Sequence, residues 1–161
     1  MTDPSLFDPQ SFLDATTTEA ATRRPPLPAG LELPGTITDI AARRWTSQKD
    51  PNNPRSGIAF DVKVQVQTPP DLVANQGYPP NVTYNDSVML DLTDGGSIDY
   101  APGRNGRLRL YREATGTNDP GREFTPRMLV GKSVKVKIAH RPGTGQFSGE
   151  LFDEIGTISK P

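Results

Sequence analysis

From Ile58 to Gln67 the chain alternates strictly: Ile58, Phe60, Val62, Val64 and Val66 on one side, Ala59, Asp61, Lys63, Gln65 and Gln67 on the other. Side chains two apart share a face of a strand, so this segment predicts a strand with one core face and one wet face. The same reasoning predicts a strand over about Gly35 to Trp45, β-branched at its start and charged and aromatic at its end. A third covers about Val82 to Leu92, with Val88, Leu90 and Leu92 inward and Asp91 outward. Gly131 to His140 alternates apolar with basic residues as a fourth strand, and Gln146 to Ile158 forms a fifth, kinked or bulged at Gly149 or Gly156.

Only Arg104 to Thr115, with Leu108 and Tyr111 at helical spacing and Gly116 behind it, predicts a helix. The predicted order is strand, strand, strand, helix, strand, strand, with no internal repeat. Between these elements lie loops rich in turn formers. Thr46 to Ser56 carries Lys49, Asp50, Pro51, Asn52, Asn53, Pro54 and Arg55. Thr68 to Asn81 is long, Asp94-Gly95-Gly96 turns the chain sharply, and Arg141 to Gly145 joins the last two strands.

Seventeen prolines and fifteen glycines, falling mostly between the apolar runs, fit short strands joined by turns in a single all-β domain. Before it comes a leader, through about Thr22, that is polar apart from Leu6, Phe7, Phe12 and Leu13. Asp8 and Pro9 are placed to cap and open one helical turn, Gln10 to Ala15. Phe7 and Phe12 would staple its start, and Leu13 would be offered to a partner. The plainer reading is a disordered arm. Arg23-Arg24-Pro25-Pro26 continues it as an extended linker. The division expected is therefore 1–26, a flexible acidic arm and linker, and 27–161, the domain, with its folded part starting near Leu31.

Absence of cysteine rules out disulfides, a thiolate zinc site and a thiol nucleophile, and one histidine narrows metal chemistry further. No cofactor and no metal are expected. The start of the chain lacks a basic region followed by an apolar one. No run approaches the ~18 apolar residues of a membrane span, so a soluble, cytoplasmic protein without membrane contact is expected. The net charge of -1 hides an asymmetry. Asp3, Asp8, Asp14 and Glu19 fall in the first 21 residues, which hold no Lys or Arg. The rest carries 18 basic against 15 acidic side chains.

Strand order with a helix between the third and fourth strands is that of an OB-fold, a five-stranded Greek-key barrel that commonly binds oligonucleotides. Three segments carry a closer likeness: Leu27-Pro28-Ala29-Gly30, the helix end Ala114-Thr115-Gly116, and Leu129-Val130-Gly131-Lys132 leading into Val134-Lys135-Val136-Lys137. In these the chain resembles single-stranded-DNA-binding proteins encoded by bacteriophages. The resemblance implies sequence-tolerant binding of single-stranded DNA in replication or recombination, in the host cytoplasm, with replication or recombination proteins as partners. Some such proteins end in an acidic tail that docks partners. Here the acids lie in the leader, which makes Phe12 and Leu13 the partner-docking candidates, and self-association into a homo-oligomer is compatible with the sequence.

Binding an unpaired strand needs cations for the phosphates and flat rings for the bases. Arg43, Arg44 and Trp45, with Lys49 and Arg55, supply both around the first loop. Lys63 and Gln65 leave the second strand opposite its apolar row, and Lys135 and Lys137 share a face of the fourth. Tyr84, Arg141 and Phe147 complete the set, Tyr78 and Tyr100 being further rings. Each residue has a plainer role open to it: Trp45 as a cap on the domain, the lysines as a solvated face, Phe147 and Phe152 as core, Arg104, Arg107, Arg109 and Arg112 as the wet side of the helix, and His140 as incidental. Two rival classes stay open. Asp91, Asp94, Asp99, Asp153 and Glu154 are acids an enzyme could pair, and a structural or adaptor protein acting through the leader would need no DNA.

Overall fold

The structure, a computed structural model, describes residues 7–161; Asp3 and Leu6 of the leader lie outside the described residues. Five strands, β1 (Glu32–Ser47), β2 (Arg55–Gln67), β3 (Asn81–Met89), β4 (Ser133–Pro142) and β5 (Leu151–Ser159), form one antiparallel sheet in the order β3-β2-β1-β4-β5. The chain is thus mostly β. Among the described residues no helix is long and apolar enough to cross a membrane.

Alternation fixes the faces. Leu33 and Ile37 of β1, Phe60, Val62, Val64 and Val66 of β2, and Val134, Val136 and Ile138 of β4 are buried on one side. The helix α3 (Gly106–Ala114) is shorter than Arg104 to Thr115 and buries Leu108, Tyr111 and Ala114 against that core. Three further short helical segments were not expected, two of them in predicted loops and one at the start of the predicted fifth strand. They are α2 (Pro70–Gln76), opened by Pro70 and closed by Gly77 in the left-handed region, and 3-10 turns at Pro126–Leu129 and Gly145–Phe147. The last of these takes Gln146 and Phe147 out of the fifth strand, which begins only at Leu151.

In the leader, α1 (Pro9–Leu13) is capped by Asp8, whose carboxylate accepts from the Gln10 amide at 3.1 Å, and the Phe7 and Phe12 rings meet at 5.1 Å. Both are the expected cap and staple. Phe12 and Leu13 are exposed.

No ladder joins β3 to β5 among the described residues, and side chains span the gap instead. Gly156 is the extra residue of a bulge: Thr157 faces Lys137 while Ile155 faces Ile138. A Cβ there would lie 2.9 Å from that of Ala139, which is why glycine sits at the bulge. As an edge strand β5 leaves carbonyls free, and Arg107 of α3 takes two of them, donating to Gly156 at 2.9 Å and to Ile155 at 3.0 Å. The same guanidinium donates to Asp86 of β3 at 2.9 and 3.1 Å, and the Tyr111 hydroxyl adds a third bond to that carboxylate at 2.6 Å.

A second bridge fastens the linker. The Tyr84 hydroxyl of β3 donates to Asp153 of β5 at 2.5 Å, and Arg24 pairs with the same carboxylate at 2.9 Å. His140 reaches the Leu27 carbonyl at 2.6 Å; that oxygen only accepts, so Nε2 carries a proton. Tyr78 donates to the Pro26 carbonyl at 2.9 Å. Leu27 is fully buried. The folded part therefore starts before Leu31, because the proline-rich segment is bolted to β4 and β5, and His140 is a structural donor within a strand.

Burial first, then Asp153, pushes the Tyr84 hydroxyl well above its ordinary range, and burial with Asp86 does the same to Tyr111. Burial of Asp153 works to raise its carboxyl, but the bonds from Tyr84 and Arg24 outweigh it and hold the group below the ordinary 3.8. A depressed carboxyl contributes stability above its unfolded value and loses it as pH falls through the folded one. Asp153→Asn is therefore expected to cost about 1.5–3 kcal/mol at pH 6, the range for hydrogen bonds to a charged group. That difference should shrink below about pH 4, near the unreacted carboxyl's range. Denaturant unfolding of both proteins at several pH values checks it; a gap that stays constant into acid would remove the charged partner from the explanation.

Candidate nucleic-acid interface

Past the last β2–β3 pair, Ala59 with Met89, β1 and β2 continue together as a short two-stranded ribbon, Arg44 to Ser47 against Arg55 to Ile58. Pairing to β4 stops at Thr36, whereas β1 and β2 stay paired out to Ser47 and Arg55, with one register shift between Ile37 and Asp39 that turns Ala41, Arg43 and Trp45 outward. The ribbon exists because both segments carry polar residues that need no core, and its tip, 48–54, holds the prolines and asparagines that break pairing.

Register assigns the candidate residues to faces. On the side away from the core lie Ala41, Arg43 and Trp45 of β1 and their neighbours Gly57, Ala59, Asp61, Lys63 and Gln65 of β2. Thr36 is paired with both Gln65 and Ser133, so Lys135 and Lys137 of β4 belong to this same outer face. The structure thus brings Arg43, Trp45, Lys63, Gln65, Lys135 and Lys137 onto one surface. Lys49 and Arg55 are exposed at the ribbon tip.

Two placements correct the sequence reading. Arg44 pairs with Ile58 and points to the opposite side of the ribbon from Trp45, since adjacent strand residues face opposite ways. Tyr84 lies in the inward row with Val82 and Val88, buried and bonded to Asp153, so its ring is not available for stacking. Phe147, by contrast, is exposed on the turn between β4 and β5, not in the core, its ring edge-on to Phe152 at 5.8 Å.

The cations differ in how free they are. Arg43 is held by Asp61 at 2.7 Å and Ser87 at 3.1 Å. Arg141 pairs with Glu154 at 3.3 Å and lies over the Phe152 ring, and Lys135 reaches Glu32 only at 3.9 Å. Among the described residues no carboxylate lies within 4.0 Å of the charged atoms of Arg44, Lys49, Arg55, Lys63 or Lys137.

Trp45 is half-buried. Its indole lies across Gly57, where a Cβ would come within 2.7 Å of the ring, and its Nε1 is buried with no hydrogen-bond partner. Burying an unpaired donor costs about 1–3 kcal/mol.

Sequence reasoning missed several neighbours. Met89 is exposed on the outer face beside Ala59, a position the inward Val88 already implied. A groove of about 470 Å³ runs between β3 and β5, with Arg23 stacked 3.8 Å over Phe152 and Arg24 against Asp153. Nothing in an Arg-Arg-Pro-Pro linker signalled that it would fold back there. Of the acids considered for catalysis, Asp91 accepts from the Asn105 amide, Asp99 from Ala101, Asp153 from Tyr84, and Glu154 pairs with Arg141, and among the described residues no three acids or histidines gather as a ligand cluster.

No protein-family model matches the chain, and no curated protein matches it.

Proposed function

We propose that this chain is an OB-type domain that holds single-stranded DNA in a sequence-tolerant way, as a replication or recombination accessory of the bacteriophage kind. The strand order with β3 and β5 as the facing edges, and α3 between β3 and β4, supports an open barrel of that type. The observation that carries the function is the outer face. Trp45 sits at the root of a projecting ribbon, Lys49 and Arg55 extend the charge to its tip, and on the same face Lys63 stands free six residues farther down β2 from Gly57, and Lys137 opposite Glu32 at the other end of β1. In OB-folds the loop between strands 1 and 2 and the loop between strands 4 and 5 flank the oligonucleotide. Here the second of these carries the exposed Phe147, with Arg141 at the end of β4 beside it.

Titrating oligo-dT while following Trp45 fluorescence at several salt concentrations tests the reading. Each phosphate neutralised on a single strand contributes about −0.7 to the slope of log K against log salt. Four free cations predict a slope near −3, and Lys63→Gln with Lys137→Gln should reduce its magnitude by roughly 1.4. An absence of any salt-dependent association would sink the proposal. It would leave the adaptor reading, which the capped α1 favours because it presents Phe12 and Leu13 to solvent.

A further inference from the structure

At the N-terminal end of α3, beside the buried Leu108 and Asn105, Arg104, Arg109 and Arg112 line an open cavity of about 160 Å³ together with Tyr100 and Asn118. Arg109 and Arg112 are three apart on the helix and so share a face, and Arg104 precedes it in the loop.

Their donors are largely unspent. Arg104 lies 3.7 Å from Asp99 and Arg109 3.6 Å from Glu113, both beyond hydrogen-bond length. Arg112 gives Nε and Nη2 to the Thr117 carbonyl, at 3.3 and 3.1 Å, which leaves its Nη1 without a partner among the described residues. Its guanidinium lies over Phe124 at 4.1 Å and near Tyr100 at 5.6 Å, so it is held in place. Arg107, the neighbour on the other face, is fully committed to Asp86 and β5 and adds nothing here.

We propose that this cavity binds a phosphate monoester. Three arginines lining one small space, two of them with no side-chain hydrogen bond among the described residues and the third with Nη1 unused, match a tetrahedral dianion with several acceptor oxygens, whereas a carboxylate would use only one fork. The cavity's size, roughly five water volumes, suits a group of five heavy atoms. Tyr100, more than half exposed at the rim, offers a ring against which an attached nucleoside can stack. The monoester comes from a free nucleotide or from the 5′ end of a strand. The site is separate from the outer face of β1, β2 and β4, so it stands or falls independently of strand binding there.

The test is thermal unfolding of the full chain in inorganic phosphate against chloride at matched ionic strength. It is repeated with dTMP and with oligo-dT bearing a 5′-phosphate or a 5′-hydroxyl. Phosphate at ten times its Kd should raise Tm by about 3–5 °C. The double variant Arg104→Gln/Arg109→Gln, at two side chains more than half exposed, should fold normally and lose that rise. A larger shift with dTMP than with either oligonucleotide identifies a free nucleotide, and a gain specific to the 5′-phosphorylated strand identifies a strand end. A phosphate shift no greater than chloride's, or one retained in the double variant, overturns the site.

Discussion

Replacing Arg107 by alanine is expected to lower stability by about 3 kcal/mol and Tm by roughly 10 °C, at the low end of the cost of removing one partner from a buried ion pair. One guanidinium satisfies the Asp86 carboxylate of β3 and the Ile155 and Gly156 carbonyls of β5. Its loss leaves Asp86 with only the Tyr111 hydroxyl and strands two carbonyls at an edge that has no ladder to fall back on. Partial exposure of the pair, 27% for Arg107 and 14% for Asp86, keeps the expectation at the lower end. Arg107→Lys keeps the charge but not the fork, so it should recover about half. The double variant Arg107→Met/Asp86→Ala should lose less than the two single changes added together, because it leaves no uncompensated charge. Denaturant melts of the set decide it; an Arg107→Ala cost under about 1 kcal/mol would mean that the two edges are held by apolar packing alone.

How much of this was legible depends on whether the cause was local. The unbroken alternation from Ile58 to Gln67 identified β2 and its wet face, because a half-buried strand imposes a period of two wherever it occurs. Gly156 was one of two bulge candidates for a similar reason: a glycine inside a strand pattern marks a place where a side chain has no room. The same rule, carried through consistently, would have placed Tyr84 and Asp86 in the inward row with Val82 and Val88, and would have separated Arg44 from Trp45. An inward Asp86 requires a cationic or hydroxyl partner, but the sequence could not say that Arg107 and Tyr111 supply it, since that pairing depends on α3 crossing two distant strands. The docking of Arg24, Pro26 and Leu27 was hidden for the same reason. Each contact, to Asp153, Tyr78 and His140, is made with residues at least 52 positions away. Helix α2 escaped notice because its seven residues are too few to show a helical period.

Trp45→Ala is expected to weaken oligo-dT binding by about 5- to 150-fold, the equivalent of the roughly 1–3 kcal/mol that one stacked base contributes. The ring rests on Gly57 with its N–H buried and unpaired, an arrangement that costs free energy in the unbound protein. Turning the indole off the ribbon would expose a face to a base and give that N–H an acceptor on the strand, so the cost is relieved on binding. Gly57→Ala provides the complementary change. A Cβ at that position overlaps the ring, and should push the indole outward, red-shift its emission and leave affinity equal to or tighter than that of the original chain. Trp45→Phe keeps a ring without the N–H and should fall between the two. If Trp45→Ala instead lowers Tm while oligo-dT affinity and its salt slope stay unchanged, the indole is only a cover for the ribbon. The bases would then have to find their platform at Phe147 or Met89.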